Sequence, residues 1–133
     1  MKKIGNKFLL DTCFLIDLFD NKVDIVSFQK NKLFFIPSIA IGELYFGASL
    51  SKLKEKHIKK INELFDSFPV LNIDKDTAKM YADIKLKLRT QGTPIPENDI
   101  WIAALSMQYN ATLITNDQHF KNIKNLNTIN YNK

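Results

Sequence analysis

Phe8-Leu9-Leu10-Asp11-Thr12-Cys13-Phe14-Leu15-Ile16-Asp17 is the stretch from which the fold can be read. Residues 7–11 form a short apolar run of the kind that sits buried in a sheet, and they stop at an acid. From Thr12 onward Phe14, Leu15, Leu18 and Phe19 recur at helical spacing. The stretch therefore predicts a strand leading straight into a helix. A carboxylate at the end of a buried strand is costly unless a cation or hydrogen-bond donors meet it. Asp11 must find such partners elsewhere in the chain.

Working outward, the same grammar repeats. Asn21 and Asp24 predict a turn into a short helix over 24–30. Leu33-Phe34-Phe35-Ile36 predicts a second strand, stopped by Pro37, with Ser38 capping a helix that contains Glu43. A helix over 52–68 carries Leu53, Ile58, Ile61, Leu64 and Phe65 on one face and five lysines mostly on the other. Residues 70–73 predict a third strand. Asp74 or Asp76 then caps a helix with Ala78, Tyr81, Ile84 and Leu88 on its apolar face. Gly92-Thr93-Pro94-Ile95-Pro96 is a loop. Glu97 or Asn98 opens a helix with Ile100, Ala103, Ala104 and Met107, and residues 112–115 predict a fourth strand. A fifth is expected near 127–131. Short apolar strands separated by helices predict an α/β fold with a mainly parallel sheet, formed by residues 1–133 as one domain.

Composition narrows the function classes. The 133 residues are 45% hydrophobic and 25% charged, ordinary for a soluble globular protein. The single cysteine, Cys13, excludes an intrachain disulfide and a cysteine-based zinc site. That usage fits a reducing cytoplasm. The apolar run after Lys2 and Lys3 is too short for a signal peptide or a membrane span. Nineteen basic against fourteen acidic residues give a net charge of +5, which suits a polyanionic partner.

Most of the acids have charged or polar neighbours at helical spacing, such as Glu63 among Lys59, Lys60 and Asp66. Four do not. Glu43 has Ile39, Ala40, Phe46 and Gly47 beside it, and Asp99 has Ile95, Pro96, Ile102 and Ala103. Asp11 and Asp117 each follow an apolar strand. If those strands are parallel, all four acids reach the carboxyl edge of the sheet, where open α/β sheets place their crevice. Four carboxylates there would repel one another, and a divalent cation relieves this. Oxygen donors suit Mg²⁺ or Mn²⁺, whose chemistry at phosphate requires no protein nucleophile. Taken singly, Asp99 also suits a helix start and Asp117 a turn after a strand.

These residues also resemble a known family. Leu9-Leu10-Asp11-Thr12, Ile41-Gly42-Glu43-Leu44-Tyr45-Phe46-Gly47, Asn98-Asp99-Ile100-Trp101-Ile102-Ala103-Ala104 and Leu113-Ile114-Thr115-Asn116-Asp117-Gln118-His119-Phe120 are similar, in order and spacing, to the motifs of PIN-domain proteins. The likeness is to the VapC-like toxin ribonucleases of type II toxin–antitoxin systems. It covers essentially the whole chain and implies a three-layer α/β/α fold. It further implies metal-dependent endonucleolytic cleavage of structured RNA such as tRNA, with Mg²⁺ or Mn²⁺ held by Asp11, Glu43, Asp99 and Asp117. Thr115 is the implied hydroxyl support of the last acid, and Thr12 and Asn98 are the other expected supporting residues. The partners implied are RNA, a small antitoxin whose C-terminal segment covers the site, and a second copy of the chain. Cys13 departs from the polar residue that many members carry there, and reads as a small core residue. His119 reads as a surface-loop histidine, His57 as solvated and Trp101 as packing. Three other readings stay open: a DNA-directed nuclease or a phosphatase of similar chemistry, an RNA-processing enzyme outside any toxin system, and a non-catalytic RNA- or protein-binding module.

Overall fold

Lys7–Leu10 forms strand β1, and Thr12–Phe19 follows it at once as helix α1. The computed structural model describes residues 5–25 and 31–131. The helix expected over 24–30 falls largely outside them. The remaining strands are β2 (Leu33–Pro37), β3 (Val70–Leu71), β4 (Thr112–Ile114) and β5 (Thr128–Ile129). They form one sheet in the order β3-β2-β1-β4-β5, with every pairing parallel. Leu9 faces Phe35 on one side and Leu113 on the other.

Period-two alternation along these strands divides the core in two. Leu9 and Leu113 point to one face, where they pack with Ile84, Leu88, Ile100, Ala103 and Ala104. Phe8, Leu10, Phe34, Ile36 and Ile114 point to the other, against Phe14, Leu15, Ala40, Leu44 and Ile61. Helices therefore cover both faces, giving three α/β/α layers. Helices α2 (Ser38–Ser49) and α3 (Lys54–Ser67) accompany α1 on one face. Helices α4 (Lys75–Thr90) and α5 (Glu97–Gln108) cover the other. Among the described residues, no helix is long and apolar enough to cross a membrane.

The structure corrects several local expectations. Pro37, not Ser38, occupies the cap position of α2, and Ser38 is its first helical residue. Helix α3 begins at Lys54, so Leu53 lies before it and is 56% exposed. On α4 the buried position is Thr77 and not Ala78, which is exposed. The cause is the cap. Asp74 accepts from the Thr77 backbone N–H while Thr77 Oγ1 accepts from the Asp74 N–H, both at 3.0 Å, and this turns Thr77 inward. Gln108 of α5 donates to the same Asp74 Oδ1 at 3.0 Å, so the cap also ties the two helices together.

These hydrogen bonds, the Thr77 backbone donor foremost, hold Asp74 below the usual aspartate range. Their contribution is present above the unfolded pKa and is lost as pH falls through the folded one. Asp74→Ala should lower the melting temperature by roughly 3–5 °C at neutral pH. In thermal melts across pH, that penalty should shrink toward pH 3.

Candidate active site

Strands β1 and β4 lie side by side at the centre of the sheet, and the chain leaves them on opposite routes. The crevice of an open parallel sheet forms at such a switch point, beyond the carboxyl ends of the strands. Asp11 follows β1 directly and is the N-cap of α1, although its side chain makes no capping hydrogen bond. It is 3% exposed. Its Oδ2 instead accepts from Thr115 Oγ1 at 2.6 Å and from Cys13 Sγ at 3.2 Å. Burial raises its pKa, those two donors partly offset the rise, and the Asp117 charge adds to it.

Thr115 sits one residue past β4 and works in both directions. Its hydroxyl donates to Asp11 and accepts the backbone N–H of Asp117 at 3.0 Å. It thus links the acid after β1 to the acid after β4. Asp117 in turn caps a short 3₁₀ helix, Gln118–Asn122, by accepting the His119 N–H at 2.9 Å.

Asp99 enters from the first turn of α5. Its pKa is pushed up to about 6, first by burial and then by the charges of Asp117 and Asp11. Glu43 comes from the middle of α2 and accepts from Thr12 Oγ1 at 2.8 Å, which fixes α2 against the start of α1. Glu43, Asp99 and Asp117 line one open cleft with Asn98 and His119. Asp11 stands behind it, coupled by charge to Asp99 and Asp117. The structure therefore draws the four acids singled out in the sequence toward one edge. Thr12 and Thr115 touch them directly, and Asn98 lines the cleft.

Three residues stand where the sequence did not put them. His119 is half exposed, as a loop histidine should be, yet its ring turns into the acid cluster. Nδ1 lies 3.0 Å from Asp117 Oδ1 and 3.2 Å from Asp99 Oδ2. The signal available in the sequence was its spacing, two residues past Asp117 at a capped turn. Cys13 is half-buried rather than a plain core residue, and its thiol donates to Asp11. Burial and the Asp11 charge raise its pKa, so the thiol stays protonated at neutral pH. His57 is also half-buried and packs edge-on against Phe19. Trp101 packs as expected, stacked on Tyr81 with ring centroids 3.9 Å apart.

A family model described as PIN domain matches residues 8–126, a span holding all four acids. This chain belongs to the PIN-domain family. Among its relatives is Ribonuclease VapC2 of Haemophilus influenzae, 32% identical over 129 residues, which cover 94% of this chain and 98% of the relative. Another is the tRNA(fMet)-specific endonuclease VapC of Shigella flexneri, 28% identical over 92% of this chain and 96% of the relative. Among solved structures, VapBC2 from Rickettsia felis bound to a DNA fragment from its promoter matches with a TM-score of 0.88. That match is 28% identical and covers 94% of this chain and 98% of the other.

PIN domains of this kind imply a divalent metal, and the residues here fit one. Asp11 and Asp99 are held above the ordinary carboxylate range by burial and by the charge of Asp117, with Asp11 adding to the rise at Asp99. Among the described residues, the ion pairs place no lysine or arginine on Asp11, Glu43, Asp99 or Asp117, and only His119 approaches. One ligand atom each from Asp99, Asp117 and His119 fall within 4.8 Å of one another. A set of oxygen donors with uncompensated negative charge is the chemistry that a hard dication satisfies.

Proposed function

We propose that this PIN domain is a metal-dependent endoribonuclease toxin. It cleaves structured RNA, tRNA foremost, and is restrained by a cognate antitoxin. The observation that carries this reading is the meeting of Asp11, Glu43, Asp99 and Asp117 at one sheet edge, where burial and neighbouring carboxylates disfavour the ionised forms of Asp11 and Asp99. The ribonuclease names of its relatives, one of them specific for a tRNA, support the substrate class.

In this mechanism Asp99, Asp117 and Asp11 would hold Mg²⁺ or Mn²⁺. The bound cation would supply stabilisation of charge at the phosphate and a lowered pKa for water. Thr115 keeps Asp11 and Asp117 in fixed relation, and Cys13 donates a second hydrogen bond to Asp11. Glu43, steadied by Thr12, orients the attacking water in line with the scissile bond. The products carry 5′-phosphate and 3′-hydroxyl ends.

The partner reading rests on a groove beside the cleft. Ile16, Phe19, Leu44 and Gly47 line it, together with Glu43, which also lines the cleft. Phe46, on the same helix as Glu43, and Leu50, at that helix's C-cap, are 67% and 73% exposed. A segment lying along the groove would run to the Glu43 carboxylate, which is how an antitoxin tail would cover the site. The relatives of known structure that carry VapBC names support this partner class. Homodimerisation and a cytoplasmic location complete the proposal.

Total tRNA incubated with purified, antitoxin-free protein and Mg²⁺ or Mn²⁺ should give discrete fragments. Those fragments should be missing with EDTA and with Asp99→Asn protein. Their 5′ ends should accept label only after phosphatase treatment. Intact tRNA after incubation with folded wild-type protein would refute the tRNA assignment, and intact RNA of every class would refute the nuclease.

A further inference from the structure

The four acids do not account for His119. Its backbone N–H is already bonded to Asp117 Oδ1, which anchors the residue at the cleft wall. From that anchor the ring brings Nδ1 to 3.0 Å from Asp117 Oδ1 and 3.2 Å from Asp99 Oδ2. Ligand bonds of roughly 2.1 Å set at right angles put neighbouring donor atoms about 3.0 Å apart. His119 Nδ1 therefore stands at the spacing of an adjacent ligand from each carboxylate, and one ligand atom of each of the three side chains lies within 4.8 Å of the others. The Asp99 side chain is 16% exposed and that of Asp117 33%, whereas the His119 side chain is 50% exposed. His119 thus borders the cleft from its open side, where a cation would arrive.

The nature of the donor has a chemical consequence. Mg²⁺ is hard and takes oxygen almost exclusively, while imidazole nitrogen suits first-row transition ions. Replacing one oxygen position by a ring nitrogen moves a carboxylate site away from Mg²⁺. Using Nδ1 as the donor also places the imidazole proton on Nε2, at the other end of the ring. We propose that His119 is a direct nitrogen ligand of this cleft, and that with Asp99 and Asp117 it makes the site prefer Mn²⁺ to Mg²⁺. The inference rests on the metal-binding reading above.

Pulsed electron paramagnetic resonance of the Mn²⁺-loaded protein tests it directly, at one fixed pH. Wild type should show ¹⁴N modulation from a directly bound nitrogen, and His119→Gln should not. In titrations of metal-free protein, His119→Gln should weaken Mn²⁺ binding by roughly 10–100-fold. Mg²⁺ binding should change much less. His119→Asn serves as a second variant, and melting in EDTA shows that both remain folded. Bound Mn²⁺ without nitrogen modulation in wild type overturns the assignment, as does equal weakening of both metals. If folded wild type binds neither metal, the metal-dependent reading falls together with it. Binding without nitrogen coupling removes only the role of His119.

Discussion

Asp99→Asn protein will melt higher than wild type in EDTA at pH 7.5, by roughly 3–5 °C, and will cleave RNA at least ~10³-fold more slowly, a barrier increase of about 4 kcal/mol. Both effects have one origin. In the fold the Asp99 pKa is pushed from 3.8 up to about 6 by burial and by Asp117 and Asp11. The folded chain therefore holds this proton more tightly than the unfolded chain does. Stability falls as pH rises from about 4 to 6, and the loss persists above that window. Asparagine has no charge to desolvate or repel. Its advantage should be largest above pH 6 and should vanish near pH 4. Added Mn²⁺ should raise the melting temperature of wild type more than that of the variant, because only the native wild-type site binds it well. Melting scans at pH 4 and 7.5, with and without metal, read all of this. A variant that is less stable than wild type at pH 7.5 without metal would show that the carboxylate supports the fold and is not stored repulsion.

Thr115→Val carries the second large effect. The substitution keeps the shape of the side chain and removes its hydroxyl. Asp11 loses its 2.6 Å donor, and the Asp117 N–H loses its acceptor. Leaving such buried groups unpaired costs roughly 1–3 kcal/mol. Asp11 also loses the hydrogen bond that most opposes its pKa rise, so it ionises less readily. RNA cleavage should fall by roughly 10–100-fold, with higher metal concentrations needed for half-maximal rate. Thr115→Ser should restore most of both. A valine variant with wild-type metal dependence would remove Thr115 from the site.

The sheet and the four acids were legible because each depends on short-range signals. Apolar runs bounded by turn residues mark the strands, and Asp11 and Asp117 stand immediately after two of them. Glu43 and Asp99 were found by their neighbours three and four positions away. The misplacements are of another kind. His119 reaches Asp99, 20 residues away in sequence, only because Asp117 caps the turn between them and rotates the ring inward. Cys13 has small apolar character, and nothing local says that its thiol will meet a buried carboxylate. Phe46, counted among the apolar neighbours of Glu43, faces solvent, since the path of α2 over the sheet is set by Ala40, Leu44 and Ala48. Thr77 displaced Ala78 from the core of α4 through the reciprocal cap with Asp74. In each case a side-chain hydrogen bond or a tertiary contact outweighed periodicity.

The central position of β1 has a consequence for the life of the chain. β1 is made long before its neighbour β4, since the Asp11–Thr115 contact spans 104 residues. A nascent chain grows at about 5–20 residues per second. In the interval between the two strands β1 lacks one neighbour, Asp11 lacks its hydroxyl, and Asp117 has yet to be added. A nascent chain therefore has no assembled cleft until β4 and Asp117 have followed β1 out of the ribosome.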